Sequence, residues 1–194
     1  MSKIYTSREQ VSRAFNKVRM ELWNFGVLRD GSKLDKVECL YEPFNPSGLA
    51  GYMGFCEEIE DGDGNIHIPM VYNGFDWRLR WTDKDSANDV LRHEFGHALA
   101  DRYRGALKKG SLFRKAFDGT YGENPTRATD SADWEDDYVS EYATKFTQED
   151  FAETFMLFLK HKGRMPAKFA MKPAICKKWK SVAEIVHRVA VSER

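Results

Sequence analysis

The stretch "VLRHEFGHALA" (90–100) constrains this chain more than any other, because it sets two histidines four residues apart inside an apolar helical pattern. Ala87, Val90, Leu91, Phe95, Ala98 and Leu99 recur at spacings of three and four. That spacing predicts a helix over 84–104 with one buried face. Asp83 or Asp85 is its expected cap and Gly105 its expected stop. On such a helix His93 and His97 share a face, so their imidazoles can converge on one ion. Glu94 lies one step round the helix, where its carboxylate can act as a base beside the ion without binding it. Gly96 costs about 1 kcal/mol relative to Ala in a helix interior. Its presence predicts a neighbour packed tightly against the motif.

Two histidines need a third ligand. In the metzincin pattern a Gly and a third His would follow, but Ala100 and Tyr103 occupy those positions. The "GTYG" at 119–122 supplies no aspartate for an aspartate-liganded site. A glutamate from a later helix remains, and "TQEDFAETF" (147–155) offers Glu149, Asp150 and Glu153. Thr147 is the expected N-cap of a helix over 148–162, with Asp150 at its third position, which gives Asp150 a capping role. On a helical wheel Phe158, Phe151, Phe155, Leu159, Ala152 and Met156 form one apolar arc. Glu149 and Glu153 fall together at its border, about 40° apart, with Asp150 about 100° from Glu149. Acids at an apolar edge are costly unless paired or bound to a metal. The wheel leaves Glu149 and Glu153 equal candidates.

"HEFGHA" (93–98), Asp101 four residues after the second histidine, and "YATKFTQEDFAETF" (142–155) together resemble the gluzincin clan of zinc peptidases. The pattern is most similar to the branch of the anthrax lethal factor catalytic domain and the Pro-Pro endopeptidases. The resemblance covers about 20 residues in two blocks. It implies a zincin-like fold, one zinc ion held by His93, His97 and Glu149, and Tyr142 as a donor to the oxyanion. It also implies that Glu153 supports a zinc-bound histidine from behind, fixing its tautomer and ring orientation.

Elsewhere the period changes. Thr6 or Ser7, with Glu9 or Gln10 three residues on, opens a helix that Gly26 ends. The runs 36–44, 51–59, 65–72 and 75–81 read as strands, with "DGDGN" (61–65) and "NG" (73–74) as hairpin turns. The expected fold is α+β: a four-stranded antiparallel sheet with one wet face, the HExxH helix, and further C-terminal helices. Pro69 assigns the 65–72 strand to a sheet edge or a bulge, and makes it the expected place for an extended substrate to add. The "DGDGNIH" stretch lacks the glutamate that a calcium loop needs at its twelfth position. A loop-rich segment over 106–140 and helices over 148–162 and 177–191 complete a single domain, 1–194.

Three cysteines without CxxC spacing argue against a disulfide framework or an all-cysteine zinc site and predict buried free thiols. Net charge is zero but uneven: nine acids against two bases over 123–150, and ten bases against two acids over 160–194. The basic tail reads as a solvated face rather than a nucleic-acid footprint. No apolar run reaches membrane-spanning length. With no secretory h-region, the expected location is cytoplasmic, leaderless export being also compatible. The expected function is a zinc metalloendopeptidase acting on peptide or protein substrates, with Glu94 as general base. The alternatives are a non-peptide amide hydrolase on the same site, or a non-catalytic zinc-containing binding module.

Overall fold

Ser7 and Gln10 exchange side-chain and backbone hydrogen bonds in a capping box, and helix α1 (Arg8–Asn24) follows directly. Val11, Ala14, Val18 and Leu22 form its buried stripe. Gly26 takes a left-handed φ of 75° just beyond the end, as a helix stop requires. The computed structural model describes residues 3–5, 7–42, 55–56, 64–69, 71–73, 86–108, 112–121 and 134–194.

Strands β1 (Lys3–Tyr5), β2 (Cys39–Glu42), β3 (Phe55–Cys56), β4 (Ile66–Pro69) and β5 (Val71–Asn73) are short. The helices are α2 (Ser86–Arg102), α3 (Arg104–Lys108), α4 (Leu112–Phe117), α5 (Trp134–Asp137), α6 (Thr147–Lys160) and α7 (Pro173–Ser192). Short 3-10 turns lie at Leu34–Lys36, Tyr142–Thr144 and Ala167–Phe169. Among the described residues no helix is long and apolar enough to cross a membrane.

The four-stranded antiparallel sheet is not what forms. The described residues are mostly helical, and their strands divide into a β1–β5 pair and a three-stranded sheet of order β2-β4-β3. Within the latter, β2 runs parallel to β4 and only β3 is antiparallel to it. The β3–β4 pairing, Phe55 with His67 and Cys56 with Ile66, is the hairpin-like part of the expectation. The expected strand over 75–81 lies outside the described residues. Pro69 does not mark an edge either: β4 is the central strand, and Pro69 ends it. A residue at a strand end can lack an N–H without breaking the ladder.

The helical half also departs from expectation in detail. Gly105 lies within α3 rather than in a terminating loop, and α4 and α5 fall in the segment expected to be loop. Helix α7 begins at Pro173, four residues before its expected start. Proline at the first helical position needs no N–H and arrives with a helical φ. The three cysteines are free but half-buried rather than fully buried.

The core that positions the histidines is the α2–α6 crossing. Leu91, Phe95, Ala98 and Leu99 of α2 meet Phe151, Phe155, Phe158 and Leu159 of α6 in one buried cluster. Gly96 sits at the point of closest approach. A Cβ there would stand 3.1 Å from Ala152 Cα and 3.2 Å from the Phe155 ring, which explains a glycine inside this helix. Gly96→Ala is therefore expected to destabilise the metal-free protein by about 1 kcal/mol. The gain in helix propensity, about 1 kcal/mol, is outweighed by overpacking of about 1–3 kcal/mol against Ala152 and Phe155 of α6. Urea denaturation measures the difference.

A buried ionic cluster fixes the same crossing from the side. Arg92 is 3% exposed and donates from Nε and Nη2 to both carboxylate oxygens of Glu21 on α1, each at 2.8 Å. Its Nη1 donates to Asp89, whose other oxygen accepts from Lys160 of α6 at 2.7 Å. The cluster thus ties α1, α2 and α6 together around a guanidinium whose three nitrogens each donate to a carboxylate.

Candidate metal centre

Helix periodicity brings His93 and His97 onto the face of α2 that meets the first two turns of α6. Their rings lie edge to face with centroids 4.9 Å apart, and their Nε2 atoms are 3.1 Å apart. Glu149 Oε2 stands 3.0 Å from His93 Nε2 and 3.6 Å from His97 Nε2. Among the described residues these three side chains form a group that could hold a metal ion, each offering one ligand atom within 4.8 Å of the others.

The outward-facing ring nitrogens are engaged separately. His93 Nδ1 lies 2.8 Å from Glu153 Oε1, and His97 Nδ1 lies 2.8 Å from the Tyr121 hydroxyl. A carboxylate can only accept, so His93 donates from Nδ1 to Glu153 and from Nε2 to Glu149. The Tyr121 hydroxyl can accept from His97 Nδ1, and in that tautomer the second ring offers Nε2 as a lone-pair donor. Two imidazole Nε2 atoms and one carboxylate are a donor set that suits zinc, with both rings held from behind.

The site groups set one another's ionisation. Burial alone lowers the pKa of His93, but hydrogen bonds to Glu149 and Glu153, with the charges of Glu153 and Glu94, hold it well above the ordinary range. Burial raises the pKa of Glu149, and its hydrogen bonds to His93 and His97 reverse this, leaving it far below the usual carboxylate range. Glu94 is 6% exposed, and its pKa is raised rather than lowered. Burial pushes its pKa up, the Glu149 charge adds to that, and His93, His97 and the Cys56 backbone N–H of β3 hold it back.

Tyr142 begins the 3-10 turn before α6, with its ring centroid 5.7 Å from that of His93 and Lys145 Nζ 4.6 Å over its face. His93, His97, Glu149, Glu153 and Tyr142 are thus neighbours, whereas Asp101 pairs with Arg104 at 2.7 Å. The expected cap is not formed, however. Phe146, extended at φ −147° and ψ 152°, is the N-cap of α6 and Thr147 is already helical. Asp150 instead pairs with Lys178 of α7 at 2.6 Å, both side chains buried, and burial raises its pKa to about 7 against the opposing pull of Lys178. Lys178 also donates to the Asp137 carbonyl and lies over the Tyr138 ring, so one cation of the basic tail is internal.

Tyr121 was not foreseen as part of the site. It stands in the "GTYG" segment, and nothing in its spacing from His97 marks it. Only the packing of Tyr121 against Phe113 and Phe151 brings the hydroxyl to the imidazole.

A family model described as "Putative zinc-binding metallo-peptidase" matches residues 89–190, just over half of the chain. The matched span contains both histidines of α2 and the whole of α6. No curated protein and no solved structure matches the chain. With the His93, His97 and Glu149 group inside the matched span, the chain belongs to this family of zinc-binding metallo-peptidases.

Proposed function

We propose that the protein is a zinc metalloendopeptidase of the gluzincin type, in which His93, His97 and Glu149 hold one zinc ion and Glu94 is the general base. The observation that carries this reading is the convergence of two Nε2 atoms and a carboxylate beside a buried glutamate outside the ligand set. Zinc held there would supply a Lewis acid that acidifies water and polarises a carbonyl.

The protein's own groups do the rest. Glu94 takes the proton of the attacking water on its carboxylate and returns it to the leaving amine. Its raised pKa brings proton uptake closer to the working pH, where general bases act most effectively. The Cys56 N–H holds that carboxylate from the strand side. Tyr142 donates its hydroxyl to the developing oxyanion. Because β3 ends the order of the described sheet and touches Glu94 through Cys56, an extended peptide adds alongside β3 rather than β4. Three ligands with a base beside them favour catalysis over a closed structural site, which uses four.

A peptide library incubated with zinc-loaded protein is expected to be cleaved. The cleavage should stop on chelation and return with one equivalent of zinc. Zinc binding without cleavage of any peptide would point to the binding-module reading.

Zinc binding should also depend on pH with a defined sign. In the metal-free protein His93 has a raised pKa, so its favourable pairing is complete below its ordinary value of 6.5 and fades as pH rises through the raised value. Glu149 has a lowered pKa, so its contribution is complete above its ordinary value of 4.5 and fades as pH falls through the lowered one. Zinc requires His93 neutral, and displaces its proton. The rise in Tm on adding zinc should therefore be larger at about pH 8 than at about pH 5.5. Paired thermal melts at the two pH values check this.

A further inference from the structure

Ser140 lies half-buried in the bend before the Tyr142–Thr144 turn, and its hydroxyl is used twice. It donates to Glu153 Oε2 at 2.7 Å and accepts the Ala143 N–H at 3.2 Å. The other oxygen of Glu153 is the one at 2.8 Å from His93 Nδ1. A continuous hydrogen-bonded path therefore runs from the backbone of the Tyr142 turn, through one hydroxyl and one carboxylate, to the imidazole.

The direction of each bond is fixed by chemistry. A backbone N–H can only donate, so Ser140 Oγ accepts from Ala143 and its single proton remains for Glu153. The carboxylate accepts on both oxygens, from Ser140 on one and from His93 Nδ1 on the other. A simple capping role for Ser140 accounts for the Ala143 bond alone. It does not account for the proton placed on a carboxylate whose side chain is 14% exposed and already serves His93.

We infer that Ser140 is a positioning residue that couples the orientation of His93 to the seating of the turn carrying Tyr142. The inference rests on the reading of His93, His97 and Glu149 as zinc ligands. Glu153 without Ser140 has one oxygen unanchored and can rotate away from Nδ1, which loosens the ring. The same loss frees the Ala143 N–H and with it the first turn of the 3-10 segment. One hydroxyl thereby holds a metal-binding histidine and a candidate oxyanion donor in fixed relation.

The test is a double-mutant cycle on zinc affinity, read by competition with a chromophoric chelator, with thermal melts of the zinc-free proteins in parallel. Ser140→Ala should weaken zinc binding about three- to tenfold, less than the roughly 10- to 100-fold typical of a direct partner of a ligand. Ser140→Thr, which keeps the hydroxyl, should restore most of it. In a Glu153→Gln background, Ser140→Ala should cost less than about twofold, because the path is already broken. If Ser140→Ala does not fold, Ser140→Cys keeps the volume with a weak donor and carries the same expectation. Unchanged affinity in Ser140→Ala, with wild-type protein binding zinc and Glu149→Gln failing to, overturns this inference alone. An equal loss in both backgrounds makes the role one of general packing and also overturns it. Wild-type protein that binds no zinc overturns the ligand reading and the inference with it.

Discussion

Replacing Glu94 with Gln is expected to leave zinc bound and to slow peptide hydrolysis by about 10²–10⁴-fold. Gln keeps the shape of the side chain and can still accept the Cys56 N–H, but it cannot take a proton. The same substitution should not weaken the fold. The pKa of Glu94 is raised chiefly by burial, so the folded protein holds this proton more firmly than the unfolded chain. Stability from this group accordingly falls as pH rises from the ordinary value of 4.5 through the raised one. A neutral amide escapes that penalty, and metal-free Glu94→Gln should melt at or above the wild-type temperature at neutral pH. Loss of cleavage with an unchanged or higher Tm separates catalysis from unfolding. Unchanged cleavage would eliminate Glu94 as the base.

Glu149→Gln is expected to remove zinc rather than slow turnover with zinc in place. The amide loses the negative charge that two neutral imidazoles cannot supply. The affinity loss should exceed the roughly 100-fold upper range for residues that only support a ligand. The metal-free protein should lose stability too. Between about pH 4.5 and 6.5 the protonated His93 and ionised Glu149 stabilise each other, and the variant leaves His93 with Glu153 as its remaining direct carboxylate partner. Isothermal titration with zinc and thermal melts of the chelated protein measure the two losses separately. Glu153→Gln should show the smaller zinc effect of a supporting residue. The reverse order would make Glu153 the ligand.

The site was legible in the sequence wherever one helix carried the information. The spacing of His93 and His97 follows from α2 alone, and the apolar arc of α6 sets Glu149 and Glu153 at one border. The Gly96 position even indicated the close contact, which Ala152 supplies. What was not legible depends on pairs distant in the chain. Strand β2 lies parallel to β4, and β5 pairs with β1 near the N-terminus, so turn residues between neighbouring runs could not reveal the sheet. Thr147 and Asp150 fit a capping pattern, yet Lys178, 28 positions beyond Asp150 in sequence, offers the acid a buried cation instead. Tyr121 and Ser140 acquire meaning only when α4 and the Tyr142 turn pack beside the helices.

The ligand set itself is open to direct measurement by X-ray absorption at the zinc edge of the loaded wild-type protein. Two imidazole nitrogens with oxygen in the remaining positions and no sulfur are the predicted shell, with oxygen scattering altered in any residual zinc bound to Glu149→Gln. A sulfur scatterer, or a shell with fewer than two imidazoles, would contradict a centre built from His93, His97 and Glu149.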